Sequence, residues 1–239
     1  MMAVECVMRP LTGIVIAGGK GSRLGGRDKA FLEIDGEPII VRTLRLFRRL
    51  FTQTVVVALH PERFLTLGAE VAVDRYRGGG PLAGIHAGLL AARQPYAFVA
   101  ACDMPMLDSD VIRFLIDRIS PEAGACPDAI VPWWDGDVEP LHAVYAVKCI
   151  PTIERCLQRD AHSIREFLGQ VSVDYVAEEV LAKLDGAARS FTNVNTPGEL
   201  DRLLRNGPRA GTVASGGPTS STGPSVDSPD PASHAPAGG

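Results

Sequence analysis

Leu11-Thr12-Gly13-Ile14-Val15-Ile16-Ala17-Gly18-Gly19-Lys20-Gly21-Ser22-Arg23-Leu24-Gly25-Gly26-Arg27-Asp28-Lys29 is the stretch on which the fold turns. Leu11–Ala17 is an apolar run that ends in glycines, the pattern of a strand buried on both faces. Glycines directly after a buried strand let the chain turn tightly and expose successive backbone N–H groups, which together bind phosphate oxygens. Arg23 adds a forked donor and Lys29 a point charge. Two familiar phosphate motifs are excluded by spacing. A dinucleotide fingerprint needs Gly where Leu24 stands, and a Walker A loop closes with Gly-Lys-Ser/Thr.

Working outward, short β-branched runs alternate with longer amphipathic ones. Pro38 stands at a first helical turn, followed by Ile39, Ile40, Leu44, Phe47 and Leu50 at helical spacing. Thr54–Leu59, Val71–Val73 and Tyr96–Cys102 read as strands, and Pro81–Ala92 as an Ala-rich helix. A helix over Val111–Ile119 takes its cap from Asp108 or Ser109. Beyond it the grammar changes. Ala129–Trp134 and Leu141–Val147 flank Asp135-Gly136-Asp137, whose Asp-Gly pair favours a tight turn. Helices near Ile150–Gln158 and Ser163–Gly169, a strand at Val171–Val176 and a last helix from Pro197 complete the reading. The expected fold is α/β: a three-layer sandwich with a mostly parallel, doubly wound, Rossmann-like sheet and an antiparallel element late in the chain.

Composition sets the limits. With 239 residues, 46% hydrophobic content and a net charge of −4, residues 1–206 suffice for one well-packed domain. From Gly207 to Gly239 the chain holds no aromatic residue, Leu or Ile. It cannot offset its ordering entropy by burial and is expected to be a disordered tail. The mild acidity speaks against nucleic acid as a partner. No apolar run reaches the ~20 residues that span a bilayer, and the first residues lack the order of a signal peptide, so a cytoplasmic location is expected. Five cysteines without a C-x-x-C pair fit reduced, mostly buried thiols.

A second chemical signal is Phe98-Val99-Ala100-Ala101-Cys102-Asp103-Met104-Pro105. Asp at a strand end is often a turn former. Here a parallel sheet brings it to the edge that carries the glycine loop, and a triphosphate there needs a divalent cation. Mg²⁺ is typically held by one or two carboxylates plus phosphate oxygens, so Asp103 is the candidate metal ligand.

The glycine loop with Lys29, Gly79-Gly80-Pro81-Leu82-Ala83-Gly84, Cys102-Asp103-Met104-Pro105 and Asn193-Val194-Asn195-Thr196-Pro197 occur in that order. Together they resemble the molybdenum cofactor guanylyltransferases, within the nucleotidyltransferase fold, from Leu11 to about Leu204. The resemblance implies transfer of GMP from GTP to the terminal phosphate of molybdopterin, with Mg²⁺ as cofactor and release of pyrophosphate. It implies Ile16, Ala17, Gly18 and Gly19 lining the nucleotide and Lys29 holding its triphosphate. It also implies Asp74 in the guanine site, Asp103 binding metal and nucleotide together, and Asn193 and Asn195 on the acceptor side. Arg23, Lys29 and Asp103 are the expected catalytic charges. The partners so implied are GTP, the molybdopterin-type acceptor, molybdenum-insertion proteins and apo-molybdoenzymes.

Several residues carry two readings. Asp74 either accepts from guanine or caps its loop. His142, in a stretch common to the family, lies near the acceptor or is a satisfied core histidine. His86 sits on an apolar helix. Of Trp133 and Trp134 at most one can stack on a pterin, because neighbours on a strand face opposite ways. The family often has an Asn at the end of the second strand as a nucleotide contact, where this chain reads Val57-Ala58-Leu59-His60. The alternatives are a cytidylyltransferase or sugar-phosphate nucleotidyltransferase of the same fold, and a nucleotide-binding regulatory module without catalysis.

Overall fold

The computed structural model of the protein describes residues 9–17, 23–24, 27–76, 78–119, 126–159 and 163–206. The segment 207–239 and Cys6 lie outside them, and so do Gly18, Gly19 and the side chain of Arg23.

Strand β1 (Arg9–Ile16) is followed by two ribbons, β2 (Arg23–Leu24) with β3 (Arg27–Asp28) and β4 (Glu33–Ile34) with β5 (Glu37–Pro38). Helix α1 (Ile39–Leu50) runs without a loop into β6 (Phe51–Val57), and β7 (Glu70–Ala72) follows two short 3₁₀ turns. Next come α2 (Gly80–Ala91), β8 (Tyr96–Ala101) and α3 (Ser109–Asp117). The C-terminal half adds β9 (Ala129–Trp134), β10 (Asp137–Val138), β11 (His142–Ala146), α4 (Ile150–Gln158) and α5 (Ile164–Leu168). The last elements are β12 (Val173–Val176), α6 (Glu178–Leu181), α7 (Ala187–Ser190) and α8 (Pro197–Asn206).

The main sheet runs β10-β9-β11-β8-β1-β6-β7, with β12 also beside β9. β1 is parallel to both β6 and β8, and β6 to β7, as expected from the crossovers. β11 is antiparallel to β8 and β9, and β10 folds back on β9. The mixed sheet therefore keeps its parallel half where the site lies and its antiparallel half beyond it. Asp135 (φ 51°) and Gly136 (φ 78°) make the tight turn between β9 and β10, the two positive φ values that a type I′ hairpin requires.

The period-2 alternation of buried strands splits the core between the two faces of the sheet. Leu11 and Val15 join one cluster, with Ile40, Leu44 and Phe47 of α1 and Val111 and Leu115 of α3. Ile14 and Ile16 join the other, with Leu82, Ile85 and Leu89 of α2 and Ile153 of α4. Each fully buried aliphatic or Phe side chain of these layers contributes roughly 1.5–3 kcal/mol of transfer free energy. A third, smaller cluster joins Ile34 and Ile39 to Val194, Leu200 and Leu203. It clamps α8 beside the start of α1.

Several element ends shift by one to three residues from the expectation, most at the start of β6. β6 begins at Phe51, three residues before Thr54, because Phe51 packs edge-on to Phe47 at 5.0 Å and is held in the core. Of the two expected caps of α3 it is Asp108 that serves, its carboxylate accepting from the Asp110 and Val111 amides. Cys102, Cys149 and Cys156 are buried cysteines outside any disulfide, and Cys126 is a half-buried one. Among the described residues no helix is long and apolar enough to cross a membrane.

Candidate active site

Because β1, β6 and β8 run parallel and in register, with Ile16 beside Val57 and Ala101, their chain exits share one edge. The Ala17 amide donates to the Val57 carbonyl (2.8 Å) and the Cys102 amide to the Ile16 carbonyl (3.1 Å). This fixes the start of the glycine turn against the start of the Asp103 turn. The side chains of Ile16 and Ala17 are buried in opposite core layers, so only their backbone can meet a ligand.

Lys29 opens a 3₁₀ turn (Lys29–Phe31) and is buried, with 8% of its surface exposed. Its Nζ donates to Asn195 Oδ1 at 2.6 Å and lies 3.6 Å from Asp103 Oδ2. Lys29, Asp103 and Asn195, far apart in sequence, thus meet at the sheet edge. A buried ammonium needs such partners to stay charged. The Asp103 carboxyl is pushed above its ordinary range by burial, with Lys29 pulling it back.

The segment holding Asn193 and Asn195, expected on the acceptor side, is tied to the same strand end. The Val194 amide donates to the Asp103 carbonyl (2.8 Å), and Val194 itself is buried. Alternation about Val194 leaves Asn193 and Asn195 exposed on the other side. Asn195 is held in turn. Its amide donates to Glu199 Oε2 (2.7 Å), while the Glu199 amide donates to Thr196 Oγ1 (3.0 Å). This is a capping-box arrangement at the start of α8, shifted by one residue on the carboxylate side.

Asp74 stands two residues after β7, along the same edge but on the other flank of β1. One carboxylate oxygen accepts from the Tyr76 amide at 2.8 Å. Burial raises the Asp74 carboxyl, opposed by that amide and by His86. The structure does not join Asp74 to the Lys29 cluster. Tyr76 meets His86 edge-on (5.2 Å between rings), and His86 Nε2 lies 3.1 Å from Glu154 Oε1. His86 therefore ties α2 to α4 behind the Asp74 loop.

His142 is not brought to the cluster. It is fully buried, with its ring packed against Phe98 (5.3 Å) and Phe191 (4.4 Å), and neither ring nitrogen makes a hydrogen bond. Burial drives its pKa down to about 3, with the nearby Ser190 carbonyl opposing weakly. It is a neutral histidine of the core, packed between aromatic rings. Trp134 stacks on Phe191 at 4.8 Å, while Trp133 on the opposite face is 40% exposed. At the end of β6, Ala58 is buried and its amide donates to Ala72. His60 is half-exposed beside Glu62.

One residue at the site went unnoticed in the sequence. β11 is registered on β8 with His142 opposite Ala100, and the Ala101 amide donates to the Leu141 carbonyl. Continuing that register brings Glu139 toward Asp103. Burial, and the negative charges of Asp137, Asp103 and Asp135, raise the Glu139 carboxyl to about 7. The signal for it was the Asp-Gly turn, which returns the chain toward the Asp103 strand end.

A divalent cation fits this chemistry. Asp103 is a hard oxygen donor whose charge is only partly compensated by Lys29. Among the described residues no group of three or more His, Cys, Asp or Glu is placed to hold an ion unaided. A cation at Asp103 would therefore complete its shell with ligand oxygens and water, the usual arrangement for Mg²⁺.

Known proteins resemble this chain along most of its length. Residues 13–175 match the family described as MobA-like NTP transferase domain. The molybdenum cofactor guanylyltransferase of Desulfosudis oleivorans is 37% identical over 195 residues, 82% of this chain and 95% of that protein. The probable molybdenum cofactor guanylyltransferase of Pelotomaculum thermopropionicum is 35% identical over 208 residues, 86% and 98% of the two chains. Among solved structures, the molybdopterin-guanine dinucleotide biosynthesis protein A from Archaeoglobus fulgidus is similar with a TM-score of 0.69. Its identity is 32%, over 82% of this chain and 97% of that one. With likeness at this level over nearly the whole described domain, the chain belongs to the molybdenum cofactor guanylyltransferase family of MobA-like nucleotidyltransferases.

Proposed function

We propose that the protein transfers GMP from GTP to the terminal phosphate of a molybdopterin acceptor, using Mg²⁺ and releasing pyrophosphate. The observation that carries this reading is the meeting of Lys29, Asp103 and Asn195 at one strand edge. Bound at Asp103, the metal would supply charge neutralisation on the phosphates and Lewis-acid polarisation of the phosphoryl oxygens.

The chain's own residues do the rest. An acceptor phosphate oxygen attacks the α-phosphorus in line. The bond to the β-phosphate bridging oxygen breaks, and its electron pair leaves with pyrophosphate. The acceptor is already anionic at neutral pH, so no strong base is required. Lys29, placed by Asn195 and Asp103, puts a cation against the phosphates where charge develops. Arg23 and the backbone N–H groups of Gly18 and Gly19 belong to the same proposal. Asp74, oriented by the Tyr76 amide, keeps a second carboxylate oxygen for the guanine edge, and Asn193 and Asn195 take the acceptor side. The same reading makes apo-molybdoenzymes and molybdenum-insertion proteins the transient partners, and the cytoplasm the compartment.

The test is pyrophosphate release with Mg²⁺ and molybdopterin, GTP against CTP. Release with GTP that Asp103→Ala abolishes supports the assignment. Release with CTP alone would move the protein to a cytidylyl reaction. Nucleotide binding without release from either would sink the transferase reading for this acceptor.

A further inference from the structure

A pocket of 180 Å³ lies outside the strand-edge cluster, against the outer face of α1. Arg42, Arg45 and Arg49 recur there at i, i+3 and i+7, a spacing that puts them on one helix face. With Thr43 and Leu46 they form one wall, and Pro105 and Leu107 form the other. Pro105 follows Asp103 by two residues, so this wall belongs to the turn that leaves the site. The polar side chains of the lining are three guanidiniums and a hydroxyl, and no carboxylate lines the pocket among the described residues.

Glu37, outside the lining, grips Arg45 with both oxygens, Oε1 to Nη1 and Oε2 to Nη2, each at 2.8 Å. That fork cancels one charge and holds Arg45 in place. Arg42 makes no ion pair or hydrogen bond within the described chain and is half-buried. Its guanidinium is therefore left in a concavity lined by no carboxylate and without a counterion among the described residues, in a chain whose overall charge is −4. A helix face that served solubility alone would be convex and solvated. This one is walled by Pro105 and Leu107.

We infer that this pocket is a second anion site, binding a phosphate-class oxyanion apart from the Lys29 cluster. Its volume is well under the ~300–1,000 Å³ of pockets that enclose a drug-sized ligand. Phosphate or pyrophosphate fits inside, whereas the base and ribose of a nucleotide would lie outside. Because Arg45 and Arg49 are exposed, the affinity is expected to be modest and steeply salt-dependent.

The test is calorimetric titration with inorganic pyrophosphate at low ionic strength in chelator. It compares the full chain with Lys29→Ala, Arg42→Ala and Arg42→Gln, each checked for an unchanged melting profile. Pyrophosphate binding that survives Lys29→Ala and weakens roughly tenfold in both Arg42 variants is the expected result. In Lys29→Ala protein, displacement by GTP would identify the source as a nucleotide tail, and no displacement a free anion. Either supports the site. Binding that vanishes with Lys29→Ala, or that both Arg42 variants retain in full, overturns it. GTP turnover is expected to persist in the Arg42 variants, which separates failure here from failure of the transferase reading.

Discussion

The Lys29 ammonium donates to the Asn195 side-chain oxygen across 2.6 Å of space and 166 positions of chain. The lysine read as a phosphate binder and the asparagine read as an acceptor contact are thus one hydrogen-bonded unit. In the reaction proposed for this chain, nucleotide and acceptor would each have to engage a group already held by the other's residue. Asn195 is kept there by Glu199.

Asn195→Ala is expected to lower kcat/KM for GTP by roughly 10–100-fold, the range for losing a hydrogen bond to a charged group. Glu199→Ala should act in the same direction but more weakly, by freeing the Asn195 backbone. Glu199→Gln should recover most of the loss, since its amide oxygen can still accept. Steady-state kinetics of the three variants against wild type check this, and equal activity of Glu199→Ala and wild type would refute the positioning role.

Asp103→Asn keeps the shape of the side chain and removes its charge. The expected result is a kcat at least about a hundredfold lower, with little change in nucleotide affinity measured in chelator. Lys29 keeps its Asn195 partner in this variant, so the loss would report the metal and not a collapsed cluster. Chelation of wild type should reproduce the same loss of turnover, reversed by excess Mg²⁺.

Gly13 lies in β1 where a Cβ would stand 2.4 Å from Phe51 Cδ2 and 2.6 Å from Phe47 Cδ2. Both rings are fully packed, against each other and against Phe98. Gly13→Ala should therefore destabilise by about 1–3 kcal/mol through overpacking, read as a lower urea midpoint at unchanged m-value. Phe51→Leu in the same chain should relieve part of that cost.

The pH dependence of stability carries opposed contributions from a half-buried carboxyl and a buried imidazole. Glu139, ordinarily at 4.5 and raised to about 7 by burial and the acidic neighbours, keeps in the fold a proton that the unfolded chain releases. Its contribution to stability falls as pH rises from 4.5 to 7. Glu139→Gln should stabilise the protein at pH 8 by about 1–2 kcal/mol after allowing for solvent screening, with the gain gone near pH 4.5. His142 moves from an ordinary 6.5 to about 3, so the fold excludes a proton that the unfolded chain takes up. Stability from this group is lost as pH falls from 6.5 towards 3. Chemical denaturation across pH in chelator, for wild type and Glu139→Gln, separates the two slopes.

The layers were legible in local patterns of the chain. The apolar run before the glycines, the helical period of Ile40, Leu44 and Phe47, and the Asp135-Gly136 pair each report a local preference that the fold keeps. Lys29, Asp103 and Asn195 were also legible one by one, because short motifs carry their residue types at fixed places. The start of β6 was not, since nothing local separates Phe51 from the helix before it. The packing of its ring on Phe47 and Phe98 decides that boundary.

Which of these residues meet was not legible in any local pattern. Strand order and register are properties of pairing between distant segments. They bring Glu139 toward Asp103, put Asp74 on the far flank of β1 and seal His142 between Phe98 and Phe191. A histidine in a family-like stretch reads the same in sequence whether its ring faces solvent or core. Its burial depends on Phe191, 49 positions away, and on a sheet that local propensity cannot specify.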